Sequence, residues 1–184
     1  TDLVPFVAWL HDASFDAVMV LPLGTMPDGM TSPYSAVSTL SIDPIYIGVE
    51  SVDDFQRGGG LAALSPDARD AIAEARASAT VRHDAVRRAK REALGLAFAA
   101  FHREEWEQLT PRAAQLAAYV ARERWWLDDY GLFLALAESH GHLRWREWPA
   151  ALRDREPRAL DEARRTLARE VLRHQYLQWL AEQQ

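Results

Sequence analysis

An unbroken apolar run, Ala17 to Leu21, carries two valines and is stopped by Pro22 and Gly24. It is too short for a helix and does not alternate, so it reads as a parallel β-strand buried on both faces. No other feature constrains the fold as strongly, because the N–H and C=O groups of such a strand must bond to neighbouring strands, and unpaired buried amides cost free energy. One further β-branched run, Ile45 to Val49, is available to join it. Between the two lies a turn-rich loop with Pro27, Asp28, Gly29, Ser32, Pro33 and Tyr34, which presents one large aromatic ring beside hydroxyls. In α/β folds the loop leaving the carboxyl end of a strand is where ligands bind, so any chemistry is expected here.

The rest of the chain reads as helix. Leu3, Phe6, Val7 and Leu10 recur at helical spacing over residues 3 to 13, with Asp2 placed to cap the start. Ser32 can start a short helix over Pro33 to Leu40, and Gly58-Gly59-Gly60 marks a boundary. Ser65-Pro66-Asp67 is an N-cap with proline at the first helical position. Val81 to Trp106 is amphipathic, with Val86, Leu94, Ala97, Phe98 and Phe101 on one side. Thr110-Pro111 opens a helix expected to run on into Trp125 to Leu136, and Pro157 to Ala181 reads as one long helix of roughly 37 Å. The sum is a mostly helical chain with one or two buried strands, an odd composition for an isolated compact domain.

With 184 residues, almost half of them apolar and seven of them Trp, the chain can bury a core of ordinary size. The formal charge of −6 is modest, and 20 Arg and the single Lys90 are dispersed among acids, which argues against nucleic acid as the main partner. Without cysteine there is no disulfide framework and no thiolate metal or redox site. No stretch approaches about 18 uncharged apolar residues, so no membrane-spanning helix is expected, and the expected compartment is the cytoplasm. The start, Thr1-Asp2-Leu3, has neither an initiator Met nor a basic segment ahead of an apolar core, and reads as a cut chain rather than a signal peptide.

Tyr34, with Ser32 and Pro33, is the leading candidate site. An aromatic face packs against the apolar face of a pyranose and a hydroxyl bonds its edge, although by composition alone a loop tyrosine is more often structural. Asp128 and Asp129 are adjacent, so on a helix they diverge and cannot serve one substrate as an acid/base pair; Glu104 and Glu105 fail for the same reason. His140 and His142 lack a third ligand at metal spacing. His174 falls on an apolar stripe and reads as a hydrogen-bonded core histidine. Trp125, Trp126, Trp145, Trp148 and Trp179 could stack sugars, but at helical spacing they read as core.

Three blocks, in order, resemble the amylomaltases, the 4-α-glucanotransferases of glycoside hydrolase family 77. The first is Leu21-Pro22-Leu23-Gly24 followed by Ser32-Pro33-Tyr34-Ser35 and Asp43-Pro44-Ile45. The second is Trp125 to Leu136 with His140-Gly141 and Trp145 to Pro149. The third is Leu152 to Pro157 with a helix ending at Trp179-Leu180. The resemblance implies an α/β fold, an excerpt of a (β/α)₈ TIM barrel with a large helical insertion. Residues 1–49 would be a barrel segment with the first helix, second strand and active-site loop. Residues 50–150 would be the insertion, and 151–184 the helix returning to the barrel, just before its third strand.

It further implies the N-terminal part of an enzyme that moves α-1,4-glucan segments to glucose or another glucan by a retaining mechanism, without metal or organic cofactor. Its partners would be those glucans and the remainder of its own barrel. Tyr34 would be the platform beside the cleaved sugar. Retaining transfer needs two carboxyls about 5–5.5 Å apart. In the family these come with a third, stabilising Asp from later strands, in Arg-x-Asp, Glu-Asp-Leu-Gly and His-Asp-Asn segments, and that set does not occur within residues 1–184. The polypeptide alone is therefore expected to be inactive. Gly29 and Met30 stand where the family has Gly-Tyr-Gly, in a loop one residue longer, so that tyrosine's accessory role is not carried over. In Val81 to Lys90 the family's Val-Asp-Tyr start and further Tyr have changed, so His83 and Arg87 receive no role. A non-catalytic glucan-binding module and a helical interaction module are the alternatives.

Overall fold

The computed structural model describes residues 3–27, 29–142 and 144–184, so the expected Asp2 cap and the loop residue Asp28 lie outside the described residues. Those residues form eight α-helices joined by short 3₁₀ turns, with no β-strand among them. In order they are α1 (Leu3–Asp12), α2 (Asp53–Arg57), α3 (Pro66–Ala77), α4 (His83–Phe101), α5 (Pro111–Ser139), α6 (Ala150–Arg153), α7 (Pro157–Thr166) and α8 (Ala168–Glu182).

The starts of α3 and α5 follow from their caps. Ser65 Oγ accepts the N–H of Ala68 and Thr110 Oγ1 accepts that of Ala113, each ahead of a proline in the first turn. Helix α4 runs out through a π-turn, His102–Trp106, in which the Glu107 N–H reaches back to the His102 carbonyl. The 29-residue α5 is about 44 Å long and packs antiparallel to α8. Arg122 bonds Glu182 at one end of the pair and Glu138 meets Arg173 at the other. Gly131 lets the backbones approach, since a Cβ there would sit 3.3 Å from the Val171 carbonyl oxygen.

The largest core joins α4, α5 and α8. Phe98 and Phe101 of α4 meet Leu116 and Leu127 of α5 and Tyr176 and Trp179 of α8, with Ile47 and Phe55 closing the far side. Within it sits Asp54, fully buried, which accepts a fork from Arg112 (2.6 Å to each oxygen), the Tyr176 hydroxyl at 2.7 Å and Arg57 at 2.5 Å. A buried charge is tolerable only when paired and fully bonded, and here three donors converge on one carboxylate. Burial alone would raise the Asp54 pKa; the donors more than offset it and hold the carboxyl below its ordinary value.

Three expectations need correction. The strands expected at Ala17–Leu21 and Ile45–Val49 are not formed among the described residues. Ala17–Leu21 has no strand to pair with, and its side chains stand in solvent, Met19 at 97% exposure. Ile45–Val49 is drawn into 3₁₀ turns at Pro44–Tyr46 and Val49–Ser51, the first started by Asp43, whose side chain accepts the Ile45 N–H ahead of Pro44. The helix expected over Pro33–Leu40 is a single 3₁₀ turn, Pro33–Ser35. The long helix from Pro157 breaks at Leu167, where Thr166 Oγ1 turns back onto the carbonyls of Glu162 and Ala163, a bond that competes with the helix ladder.

Helix α1 has no buried residue; Val4, Phe6 and Trp9 are exposed, and the apolar surface continues through Phe15 and Leu21. So many large apolar side chains left exposed on one segment point to an interaction face.

Candidate functional site

The loop carrying Ser32, Pro33 and Tyr34 is closed at its neck by its own backbone. The Val37 N–H donates to the Thr25 carbonyl at 2.7 Å, and the Asp43 N–H to that of Leu23 at 2.7 Å. Gly24 permits this closure, because a Cβ there would lie 2.5 Å from the Ser38 carbonyl oxygen. At the tip the Ser35 N–H bonds the Ser32 carbonyl, fixing the turn that carries Tyr34, a residue 77% exposed.

Below the neck, buried polar groups tie the loop to three helices. Asp43 accepts the N–H groups of Met26 (3.1 Å) and Ile45 (3.0 Å) and a fork from Arg87 of α4 (3.2 and 2.7 Å). Lys90, one helical turn further on, donates to the carbonyls of Ile45 and Ile47. Burial pushes the Lys90 pKa down, against the nearby Asp43 charge that raises it. On the other side Gln178 of α8 holds both backbone groups of Ile42, at 2.9 and 2.8 Å, and donates to the Tyr130 oxygen at 3.2 Å. Thr25 Oγ1 can donate to the Ile42 carbonyl (3.3 Å), which leaves the Tyr130 hydroxyl to donate to Thr25 at 2.8 Å. Each hydroxyl proton in this chain then has one acceptor. Burial raises the Tyr130 pKa to about 12, so it stays protonated as a donor.

Between this anchored loop and helices α4, α5 and α8 opens a cleft of about 550 Å³. Met26, Phe133, Leu134 and Leu177 supply apolar walls, and Trp145, half exposed, stands at its edge. A second pocket of about 290 Å³ lies on the other side of Phe133 and Trp145, between α5, α6 and α7. Tyr34, Ser32 and Pro33 do not line the 550 Å³ cleft, although Pro27 and Val37 of the same loop do.

Elsewhere, Asp129 pairs with Arg155 at 2.8 Å, while Asp128 accepts from Gln175 at 3.2 Å. Glu105 joins the Asp54 network through Arg57. His174 is a buried histidine as read, 3.4 Å from Glu138, and it also faces the cleft. His140 Nδ1 bonds the Leu136 carbonyl at 2.9 Å and the ring stacks on Trp148. No three acids and histidines approach closely enough to hold a metal ion among the described residues. Of the tryptophans, Trp148 and Trp179 are core, whereas Trp125 and Trp145 are exposed, contrary to the core reading of all five. Sequence reasoning missed Arg87, Lys90, Tyr130 and Gln178. The first stood at a position departing from the resembled pattern, and the others gave no signal beyond the helices that carry them.

Among the described residues no helix is long and apolar enough to cross a membrane. The glycoside hydrolase 77 family model, described as 4-alpha-glucanotransferase, matches residues 1–184. The chain is 35% identical over 180 residues to a 4-alpha-glucanotransferase of Thermus thermophilus and 34% identical over 175 residues to one of Synechocystis. Each match takes in 95% of this chain and 32% of the relative. A solved structure, an amylomaltase from Streptococcus agalactiae in complex with acarbose, superposes with a TM-score of 0.75 at 23% identity, over 100% of this chain and 34% of that one. The chain thus spans about a third of the length of the curated relatives it matches, and its helical architecture is that of the corresponding part of an amylomaltase. It belongs to the 4-alpha-glucanotransferase family.

Proposed function

We propose that this chain is the N-terminal, sugar-presenting part of a bacterial, cytoplasmic 4-α-glucanotransferase that moves α-1,4-glucan segments to glucose or another glucan. The observation that carries the reading is Tyr34. A large ring held 77% exposed on a turn, with the loop's neck fastened beneath it by Asp43, Arg87 and Gln178, has the form of a stacking platform for a pyranose. Ser32, two residues before it, is exposed and can bond the sugar's edge, and Pro33 fixes the turn between them. The acarbose complex of the Streptococcus agalactiae amylomaltase supports a saccharide as the ligand class.

In the retaining reaction a carboxylate attacks the anomeric carbon while a carboxylic acid protonates the leaving 4-oxygen. The covalent glycosyl-enzyme is then opened by the 4-hydroxyl of an acceptor glucan, deprotonated by the same second carboxyl. Among the acids of this chain, Asp43 and Asp54 are buried and consumed by arginine forks, and Asp128 and Asp129 diverge on α5. The reacting pair is assigned to the rest of the enzyme, and the role of this segment is to bind and orient the glucan. The exposed apolar face of α1 and residues 15–21 is the seat of that remainder. In this reading the barrel is a (β/α)₈ barrel, Ala17–Leu21 becomes its second strand, residues 1–49 are barrel, 50–150 the insertion, and 151–184 the return. The test is direct: purified residues 1–184 leave maltotriose unchanged, and disproportionation of maltotriose by this chain alone overturns the assignment.

A further inference from the structure

The 550 Å³ cleft carries a charge that a neutral glucan does not need. Its lining includes Arg87, Lys90, Arg144, Arg146 and Arg173 alongside the acids Asp43 and Glu138, in a protein whose net formal charge is −6. Asp43 is spent on Arg87 and Glu138 on Arg173. Lys90 gives its protons to two neutral carbonyls, which leave its charge in place. Arg144 and Arg146 flank Trp145 in the chain and line the cleft with it, the Arg146 guanidinium 5.3 Å from the centre of the indole ring. No acid among the described residues forms an ion pair with either.

We propose that this cleft binds a small phosphomonoester of the sugar-phosphate class. Its volume lies within the usual range for a small-molecule site, roughly 300–1,000 Å³, and is too confined for a macromolecular polyanion. Guanidinium groups recognise phosphate oxygens through forked, charge-assisted bonds, and Arg144 and Arg146 supply two such forks to the cleft that Lys90 also lines. The half-exposed indole of Trp145 and the ring of Phe133 both line the cleft and offer aromatic surface against which the carbon skeleton of a sugar can lie. The pairing of unneutralised cations with an aromatic wall is what selects a phosphorylated sugar over both a neutral sugar and free phosphate. Because the loop that carries Tyr34 also supplies Thr25, Met26 and Pro27 to this cleft, occupancy would be felt by the loop's neck. The inference rests on the cleft's own residues and does not depend on the transferase reading.

The experiment is a calorimetric titration of the 184-residue chain with glucose 6-phosphate, inorganic phosphate and glucose as probes, with far-UV circular dichroism to verify the fold of each variant. Glucose 6-phosphate should bind saturably, with an affinity that weakens as salt rises. Inorganic phosphate should bind more weakly, and glucose should not compete. The double variant Arg144→Ala/Arg146→Ala, in an exposed turn away from the core, should weaken glucose 6-phosphate by about tenfold or more while keeping its helical spectrum. Arg165→Ala, which removes the same kind of charge on α7 where Arg165 pairs with Glu162, should change nothing. Absence of saturable binding up to about 10 mM overturns the proposal, as does equal weakening by Arg165→Ala. Equal affinity for phosphate and glucose 6-phosphate overturns the sugar-phosphate assignment, and displacement of glucose 6-phosphate by glucose overturns the role of the cations.

Discussion

Replacing Arg87 with Met measures how firmly the loop is latched. The Arg87 guanidinium meets both oxygens of Asp43 at 3.2 and 2.7 Å, and the two side chains are 15% and 1% exposed. Methionine keeps most of the apolar stem and removes the fork, leaving the Asp43 carboxylate with the N–H groups of Met26 and Ile45. Removing one partner of a buried pair costs about 3–5 kcal/mol, whereas an exposed pair is worth less than about 1 kcal/mol. Two amide donors and the nearby Lys90 ammonium still support Asp43, so the expected loss is at the lower end, about 3 kcal/mol. Urea unfolding followed by circular dichroism reads it, provided the slope with denaturant is unchanged. Asp43→Asn in the same background should then cost less than it does alone, because the interaction it would break is already gone. A loss within about 1 kcal/mol, or strictly additive effects of the two substitutions, refutes the latch.

Three other outcomes follow from the buried polar groups and the tight helix pair. Tyr176→Phe removes one of the donors on Asp54 and should cost about 1–3 kcal/mol in the same unfolding assay, although the ring's packing on Phe101 is kept. Gly131→Ala gains about 1 kcal/mol of helix propensity but puts a Cβ 3.3 Å from the Val171 carbonyl oxygen, which can yield only if backbone moves, so a net loss is expected; a neutral or stabilising result would show the helices free to separate. Stability should also fall with acid in two stages. Burial lowers the His174 pKa despite the Glu138 carboxylate. Glu138, which burial would raise, is held at about 2 by His174 and Arg173; with His174 neutral, Arg173 carries that effect near pH 7. Asp54 is likewise depressed. Each group binds its proton more readily in the unfolded chain, so stability is complete above the unfolded pKa and lost below it, from about pH 6.5 for His174 and from about pH 4 for the carboxyls. His174→Gln should abolish the upper stage alone, and a midpoint temperature already flat between pH 7 and 5 in the wild type contradicts this.

Local chemistry in the sequence carried the helices well. Ser65-Pro66 and Thr110-Pro111 cap where expected because a cap is written in the first few residues of its own helix. The apolar stripe of α4 packs as its 3.6-residue period implies. What depends on a distant partner was not legible. Ala17–Leu21 has strand composition, but a strand exists only beside another, and no described residue offers one. Thr166 ended a helix through bonds to its own backbone that an apolar pattern extending past it concealed. In the site, Tyr34 was legible as an exposed loop aromatic, whereas Arg87 and Lys90 were not. Their importance lies in facing Asp43 and the Ile45 and Ile47 carbonyls, some 40 positions earlier in the chain.

The central claim is that an exposed tyrosine on a latched loop is a sugar platform, and the affinity of Tyr34→Ala for maltoheptaose tests it most directly. Because Tyr34 is solvent-facing, the substitution should leave unfolding within about 0.5 kcal/mol of the wild type, so any loss of binding is a loss at the site. Binding at least about tenfold weaker than wild type is expected; unchanged affinity in a folded Tyr34→Ala protein contradicts the sugar-platform role.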